Sequence, residues 1–191
     1  KNSLAVLRKT NALLDGHFVL SSGLHSPSYV QCAKLLSFPN KSEKFTKSLA
    51  SKIKKTFKNI DLILSPAMGG IVIGYEIGRV LKKETIFCER VDGNFKLRRG
   101  FKIKKKSRVV IIEDVITTGK SSLECVKLIN KSKGKLLGFA SIIDRSNSKS
   151  LKIKGKKIIS QIKINVPSFT KKNLPKSLKQ IPITTPGSRY I

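Results

Sequence analysis

The stretch Val109-Val110-Ile111-Ile112-Glu113-Asp114-Val115-Ile116-Thr117-Thr118-Gly119-Lys120-Ser121-Ser122 constrains the fold more than any other part of the chain. Four β-branched apolar residues in a row read as a strand buried on both faces of a parallel sheet. Two carboxylates stand at its carboxyl end, a short Thr/Gly/Ser loop follows, and a helix opens. In open α/β sheets, ligands bind where strands end and helices begin. The first N–H groups of such a helix attract phosphate. Acids for hydroxyls or a metal, beside a nest for a phosphate, suit a sugar phosphate. The acids are conspicuous because the chain has only 11 Asp and Glu against 40 Lys and Arg. Gly119-Lys120-Ser121 could be the tail of a Walker-type nucleotide loop. That loop needs a glycine five residues before Gly119, where Asp114 stands.

The rest of the sequence fits an α/β chain. Phe45, Leu49, Ile53 and Phe57 recur at helical spacing. Asp61 to Ser65, Thr85 to Cys88, Leu136 to Ile143 and Ile158 to Val166 read as strands. Gly69 to Lys82 reads as a helix, and its Gly70, Gly74 and Gly78 allow close approach to a sheet. Strand and helix alternate from 45 to 143, which means a parallel sheet with right-handed crossovers. Ser3 caps a first helix carrying Leu4, Leu7, Leu13 and Leu14, with Gly16 as its stop. Two short strands, Phe18 to Leu20 and Tyr29 to Cys32, flank a turn in which His25 is an ordinary turn residue. Residues 89–100 form a cation-rich loop or hairpin with Gly93 and Gly100 as hinges. The tail from Pro167 onward is irregular.

Composition narrows the class. At 191 residues the chain fits one domain with a sizeable core. The net charge of +29 suggests nucleic acid, but only 8 of the 40 cationic residues are arginine and the lysines are spread evenly. With no DNA-binding motif present, a lysine-biased genome explains the charge and a nucleic-acid partner is not expected. Cys32, Cys88 and Cys125 are odd in number, apolar in context and without metal-ligand spacing, so buried free thiols in a reducing cytoplasm are expected. No apolar run approaches a membrane span and no secretory signal is visible.

The segment 109–122 resembles the 5-phosphoribosyl pyrophosphate (PRPP) signature of the type I phosphoribosyltransferases. Further segments resemble the orotate-using members: residues 17–26, Ser65 to Ile71, Glu89-Arg90 with Leu97-Arg98-Arg99-Gly100-Phe101, Asp144-Arg145, and Pro186 to Arg189. The resemblance spans nearly the whole chain. It implies an α/β fold with a central, mostly parallel sheet flanked by helices. The core would be about 40–145 within one domain, with a small cap, or hood, from about 1–36 and 150–191. It implies transfer of phosphoribose from PRPP to orotate, giving orotidine 5′-monophosphate and pyrophosphate in pyrimidine biosynthesis.

The resemblance also assigns residues. PRPP would meet Glu113, Asp114, Val115, Ile116, Thr117, Thr118, Gly119, Lys120 and Ser121, together with Gly69 and Arg90. Arg90, Lys96, Arg98 and Arg99 would act with the two acids in catalysis, neutralising the departing pyrophosphate. Orotate would meet Thr117, Arg145, Tyr29, Val30, Ser22 and Gly23, with Ser21 to Ser26 along the base. Mg²⁺ would arrive mainly on PRPP, with Glu113 and Asp114 as protein donors. A cytoplasmic homodimer with shared active sites is implied. Met68-Gly69 replaces the Tyr-Lys of many members, and no His follows in the cationic loop. Two alternatives stay open: a phosphoribosyltransferase for another base, and a non-catalytic PRPP-sensing regulator.

Overall fold

Strands rich in Val, Ile and Leu alternate with amphipathic helices through the middle of the chain and build a mostly parallel sheet, as the alternation predicts. The computed structural model describes residues 3–20, 22–146 and 155–186. The chain forms two compact units, Asn40–Ile164 and Lys1–Pro39 with Asn165–Ile191.

The larger unit follows the first two helices, α1 (Ser3–Lys9) and α2 (Cys32–Leu36), and begins within α3 (Pro39–Thr56). The buried face of α3 carries Phe45, Leu49 and Ile53. A six-stranded sheet follows, in the order β5-β4-β3-β6-β7-β8. Its strands are β3 (Leu62–Pro66), β4 (Glu84–Val91), β5 (Asn94–Leu97), β6 (Arg108–Ile116), β7 (Lys135–Asp144) and β8 (Lys157–Lys163). All neighbours are parallel except β4 and β5, which form an antiparallel hairpin. Helix α4 (Gly69–Leu81) joins β3 to β4, and α5 (Lys120–Lys131) joins β6 to β7. Cys125 and Ile129 of α5 pack with Leu64, Ile86, Cys88, Val109, Ile111 and Phe139 of the sheet in one apolar cluster. The three cysteines are buried free thiols.

The glycine stripe of α4 faces the sheet. A Cβ on Gly70 would stand 3.1 Å from the Ile112 carbonyl, one on Gly74 would collide with the Ser65 hydroxyl, and one on Gly78 with the Thr85 hydroxyl. Larger residues would lift the helix off β3 and β4.

The smaller unit contains β1 (Leu13–Val19), β2 (His25–Val30) and β9 (Ile183–Thr184) in the order β2-β1-β9. Its tail also holds a 3₁₀ turn, Lys171–Asn173, and α6 (Lys176–Lys179). The tail is therefore more regular than its prolines suggest.

Several boundaries differ from the sequence expectation. The first helix stops at Lys9, and Leu13 and Leu14 belong to β1. The stop is Asn11, at φ 55°, with Ala12 N–H bonded back to the Leu7 carbonyl at 2.8 Å. That is the asparagine form of a left-handed helix cap, and Gly16 plays no part in it. Cys32 opens α2 instead of closing a strand. Lys157–Lys163 fell within the expected cap, yet it pairs with β7 as the outer strand of the large sheet. Of the loop or hairpin expected over 89–100, residues 89–97 take the hairpin, turned at Asp92 (φ 50°) and Gly93 (φ 77°), the backbone a tight two-residue turn demands.

Candidate active site

The sheet has one point where consecutive connections diverge. From β3 the chain passes through α4 to β4 on one side, and from β6 it passes through α5 to β7 on the other. The carboxyl ends of β3 and β6 therefore flank an open crevice, the usual ligand position in such sheets. Glu113 and Asp114 stand near that end of β6, two residues before Ile116 closes it. Side chains alternate along a strand, so the two neighbours point to opposite faces.

Glu113 points toward α5 and is 8% exposed. It accepts a short hydrogen bond from the Ser122 hydroxyl. Burial pushes its carboxyl up to about 7; the Ser122 bond opposes the shift and the Asp114 charge adds to it. Asp114 points toward the start of α4. Burial raises its carboxyl too, and the Val115 backbone N–H draws it back. A Cβ on Gly69 would lie 2.7 Å from Asp114 Oδ2. Gly69 therefore makes the space in which the Asp114 carboxylate sits. The Ala67–Met68 peptide leading into it is cis.

The loop between β6 and α5 carries the residues expected to hold phosphate. Val115 and Ile116 are still strand, and the Ile116 side chain is buried in the core, leaving only its backbone for a ligand. Thr117 and Thr118 are exposed. Gly119 caps α5 at φ 75°, a left-handed conformation that favours glycine, and Lys120 and Ser121 form the first turn. Arg145 N–H bonds the Ile116 carbonyl at 2.8 Å, so Arg145 emerges beside Thr117. Arg145 is half-buried, which lowers its guanidinium's pKa, and it makes no ion pair among the described residues. Asp144 accepts from the Ser146 N–H at 2.9 Å.

The cations of the β4–β5 hairpin have partners. Arg90 pairs with Glu124 of α5 at 3.0 Å, lies 4.2 Å from the centre of the Phe95 ring, and donates a short bond to the Gly93 carbonyl. Arg99 pairs with Glu89 at 2.7 Å, and Lys96 with Asp92 at 3.3 Å. Arg98 is exposed and has no ion pair among the described residues. Sequence reasoning missed Ser122, Glu89 and Glu124, the partners that hold the predicted site residues. The only signal was arithmetic: Ser122 and Glu124 sit on the first turns of a helix that starts beside the acids.

Among the described residues no cluster of three or more His, Cys, Asp or Glu side chains could cage a metal. The Asp114 carboxylate suits an ion that arrives on phosphates, as Mg²⁺ does, whereas Glu113 is turned to the opposite face against Ser122. In the smaller unit, Ser22 and Gly23 lie in the turn closed by Gly23 N–H to the Leu20 carbonyl at 2.8 Å. Tyr29 and Val30 end β2, with the Tyr29 ring 5.7 Å from Phe18. Ser21 and residues 187–189 lie outside the described residues.

Residues 39–172 match the phosphoribosyl transferase domain family. The chain is 46% identical over 189 residues to an orotate phosphoribosyltransferase of Parvibaculum lavamentivorans, covering 98% of this chain and 96% of that protein. It is 42% identical over 187 residues to one of Erythrobacter litoralis, covering 97% and 96%. Among solved structures, an orotate phosphoribosyltransferase from Aeropyrum pernix superposes with TM-score 0.73 at 23% identity, covering 84% of this chain and 92% of that one. An adenine phosphoribosyltransferase from Thermoanaerobacter pseudethanolicus gives 0.62 at 18%, covering 72% and 88%. The backbone is thus shared by proteins named for different bases.

Proposed function

The chain belongs to the orotate phosphoribosyltransferases of the phosphoribosyl transferase family, and from that premise we propose how its residues divide the reaction of orotate with PRPP. The products are orotidine 5′-monophosphate and pyrophosphate, a step of pyrimidine biosynthesis. One observation supports the assignment: the Asp114 carboxylate sits in the space left by Gly69, at the switch-point end of the sheet where α5 begins after Gly119.

Asp114 accepts hydrogen bonds from the ribose hydroxyls. The N–H groups and hydroxyls of residues 117–121 hold the 5′-phosphate. Glu113, tied to Ser122, holds β6 against the first turn of α5 and adds negative charge near the sugar. As the bond to pyrophosphate breaks, charge grows on the leaving group. Arg90, Lys96, Arg98 and Arg99 are the cations available to stabilise it. Arg98 is poised to act at once, whereas Arg90 and Arg99 must first exchange Glu124 and Glu89 for the ligand. Mg²⁺ would arrive on PRPP and supply further charge neutralisation, with Asp114 as the protein carboxylate open to it; Glu113, turned to the opposite face against Ser122, would not share the ion. Arg145 grips the orotate carboxylate with two parallel hydrogen bonds, and Thr117 bonds the ring. The resemblance adds Ser22, Gly23, Tyr29 and Val30 as base contacts.

We also propose a cytoplasmic homodimer. Met68, Val72 and Tyr75, 82%, 50% and 64% exposed, form one apolar stripe along α4. No helix among the described residues is long and apolar enough to cross a membrane. Pyrophosphate release from PRPP and Mg²⁺ with a panel of bases tests the function. Release with orotate and not with adenine or uracil is expected, and silence with orotate refutes it.

A further inference from the structure

The chain has two histidines, and the fold joins them in one buried contact. His17 is 3% exposed and His25 7%. His17 Nε2 lies 2.7 Å from His25 Nδ1, and His17 Nδ1 lies 3.0 Å from the Ile181 carbonyl oxygen. The β1–β2 pairing slips between Asp15 and Phe18, and the adjacent His17 and Phe18 are both buried there. A bulge of this kind re-aims a side chain that regular alternation would send outward.

The proton positions follow from these partners. A carbonyl oxygen only accepts, so His17 Nδ1 carries a hydrogen. In a neutral ring His17 Nε2 is then a lone pair. His25 Nδ1 must donate to it, which leaves His25 Nε2 bare. One backbone carbonyl thus sets the tautomer of two rings in series.

Three segments meet at the pair. β1 carries His17. β2 opens at His25, whose backbone exchanges two hydrogen bonds with Phe169, each 2.8 Å. Ile181 precedes β9, which pairs with β1 at His17 and Ile183. The turn with Ser22 and Gly23, and the strand ending in Tyr29 and Val30, hang from this junction.

We propose that His17 and His25 are a positioning pair, in which the Ile181 carbonyl imposes one proton order on both rings and so fixes the β1–β2 hairpin in the shape that receives the base. The proposal rests on reading the chain as an orotate phosphoribosyltransferase. Neither ring is a catalytic residue.

The intact chain labelled with ¹⁵N-histidine gives ring signals from these two residues alone. Both rings should be protonated at Nδ1, and an Nε2–H neutral tautomer on either overturns the pair. This measurement needs no substitution. Kinetics then test the positioning. His17→Gln keeps a donor and an acceptor in one amide, and His17→Leu keeps neither. His17→Leu should raise the orotate KM by about tenfold, on the scale of one lost buried hydrogen bond. The PRPP KM should stay within about twofold, because an interaction confined to one substrate moves that substrate's KM. His17→Gln should recover most of the orotate affinity. If His17→Leu does not fold, His25→Leu takes its place. Equal losses for both substrates, no loss, or no recovery with Gln overturns the proposal. Failure of the wild-type chain to use orotate would instead remove the functional reading, while the ring signals still decide the tautomers.

Discussion

Burial lifts the Glu113 carboxyl from an ordinary 4.5 to about 7, which makes it a group whose charge changes within the working pH range. Between those values the native chain keeps a proton that the unfolded chain has released. Its contribution to stability is therefore greatest below about 4.5, declines as pH rises, and is fully lost above about 7. Glu113→Gln keeps the shape and an acceptor for Ser122 without that loss. We expect the ligand-free variant to be more stable than wild type at pH 8 by on the order of 1–3 kcal/mol, and nearly equal at pH 5. Melting curves at the two pH values check this, and a gain independent of pH contradicts it. Asp114 plays the other part. Asp114→Asn should lower kcat/KM by on the order of 2–4 kcal/mol in free-energy terms. Gly69→Ala pushes a methyl into the same carboxylate and should act in the same direction. If the two share one mechanism, the double variant is little worse than Asp114→Asn alone, and additive losses in steady-state kinetics would separate them.

At the scale of elements, α4 depends on having no side chains on its inner face. Alanine is the better helix former by about 1 kcal/mol, yet Gly74→Ala drives a Cβ into Ser65. Overpacking costs about 1–3 kcal/mol, so a net drop in melting temperature is expected, and a rise would mean the helix can lift freely. The β4–β5 hairpin, with Phe95 buried and Glu89–Lys96 and Arg90–Phe95 in register, should show amide protection in hydrogen exchange without ligand. Rapid exchange across 89–97 would restore a mobile lid. Much of this layer was legible in sequence. Val109 to Ile112 announced a buried strand, the acids and Gly119 marked its carboxyl end and the start of α5, and Gly70, Gly74 and Gly78 marked a close helix. What escaped was decided at a distance or by a single cap. Asn11 ends α1 through its left-handed backbone, and β8 joins the sheet through pairing with β7, which no local pattern encodes. Ser122, Glu89 and Glu124 escaped because partner choice depends on how α5 and the hairpin lie over β6.

At the scale of the whole molecule, charge governs association. Each copy carries +29, so two copies repel at long range, while the α4 stripe of Met68, Val72 and Tyr75 offers apolar contact. Screening removes the repulsion and leaves the contact, so sedimentation should show tighter dimers at about 0.5 M salt than at about 0.05 M. Weaker dimers at high salt would place ion pairs, not α4, at the interface. If active sites are shared, mixing Arg99→Ala chains with Asp114→Asn chains restores part of the activity, because one hybrid site keeps both residues.

Met68 is the one methionine in the sequence, and it projects into solvent beside the glycine that seats Asp114. A ¹³C-methyl label on methionine therefore places a reporter at Met68, beside Asp114. Its resonance would move when PRPP fills the neighbouring space and broaden when a second copy covers α4, so one signal would follow occupancy and association together.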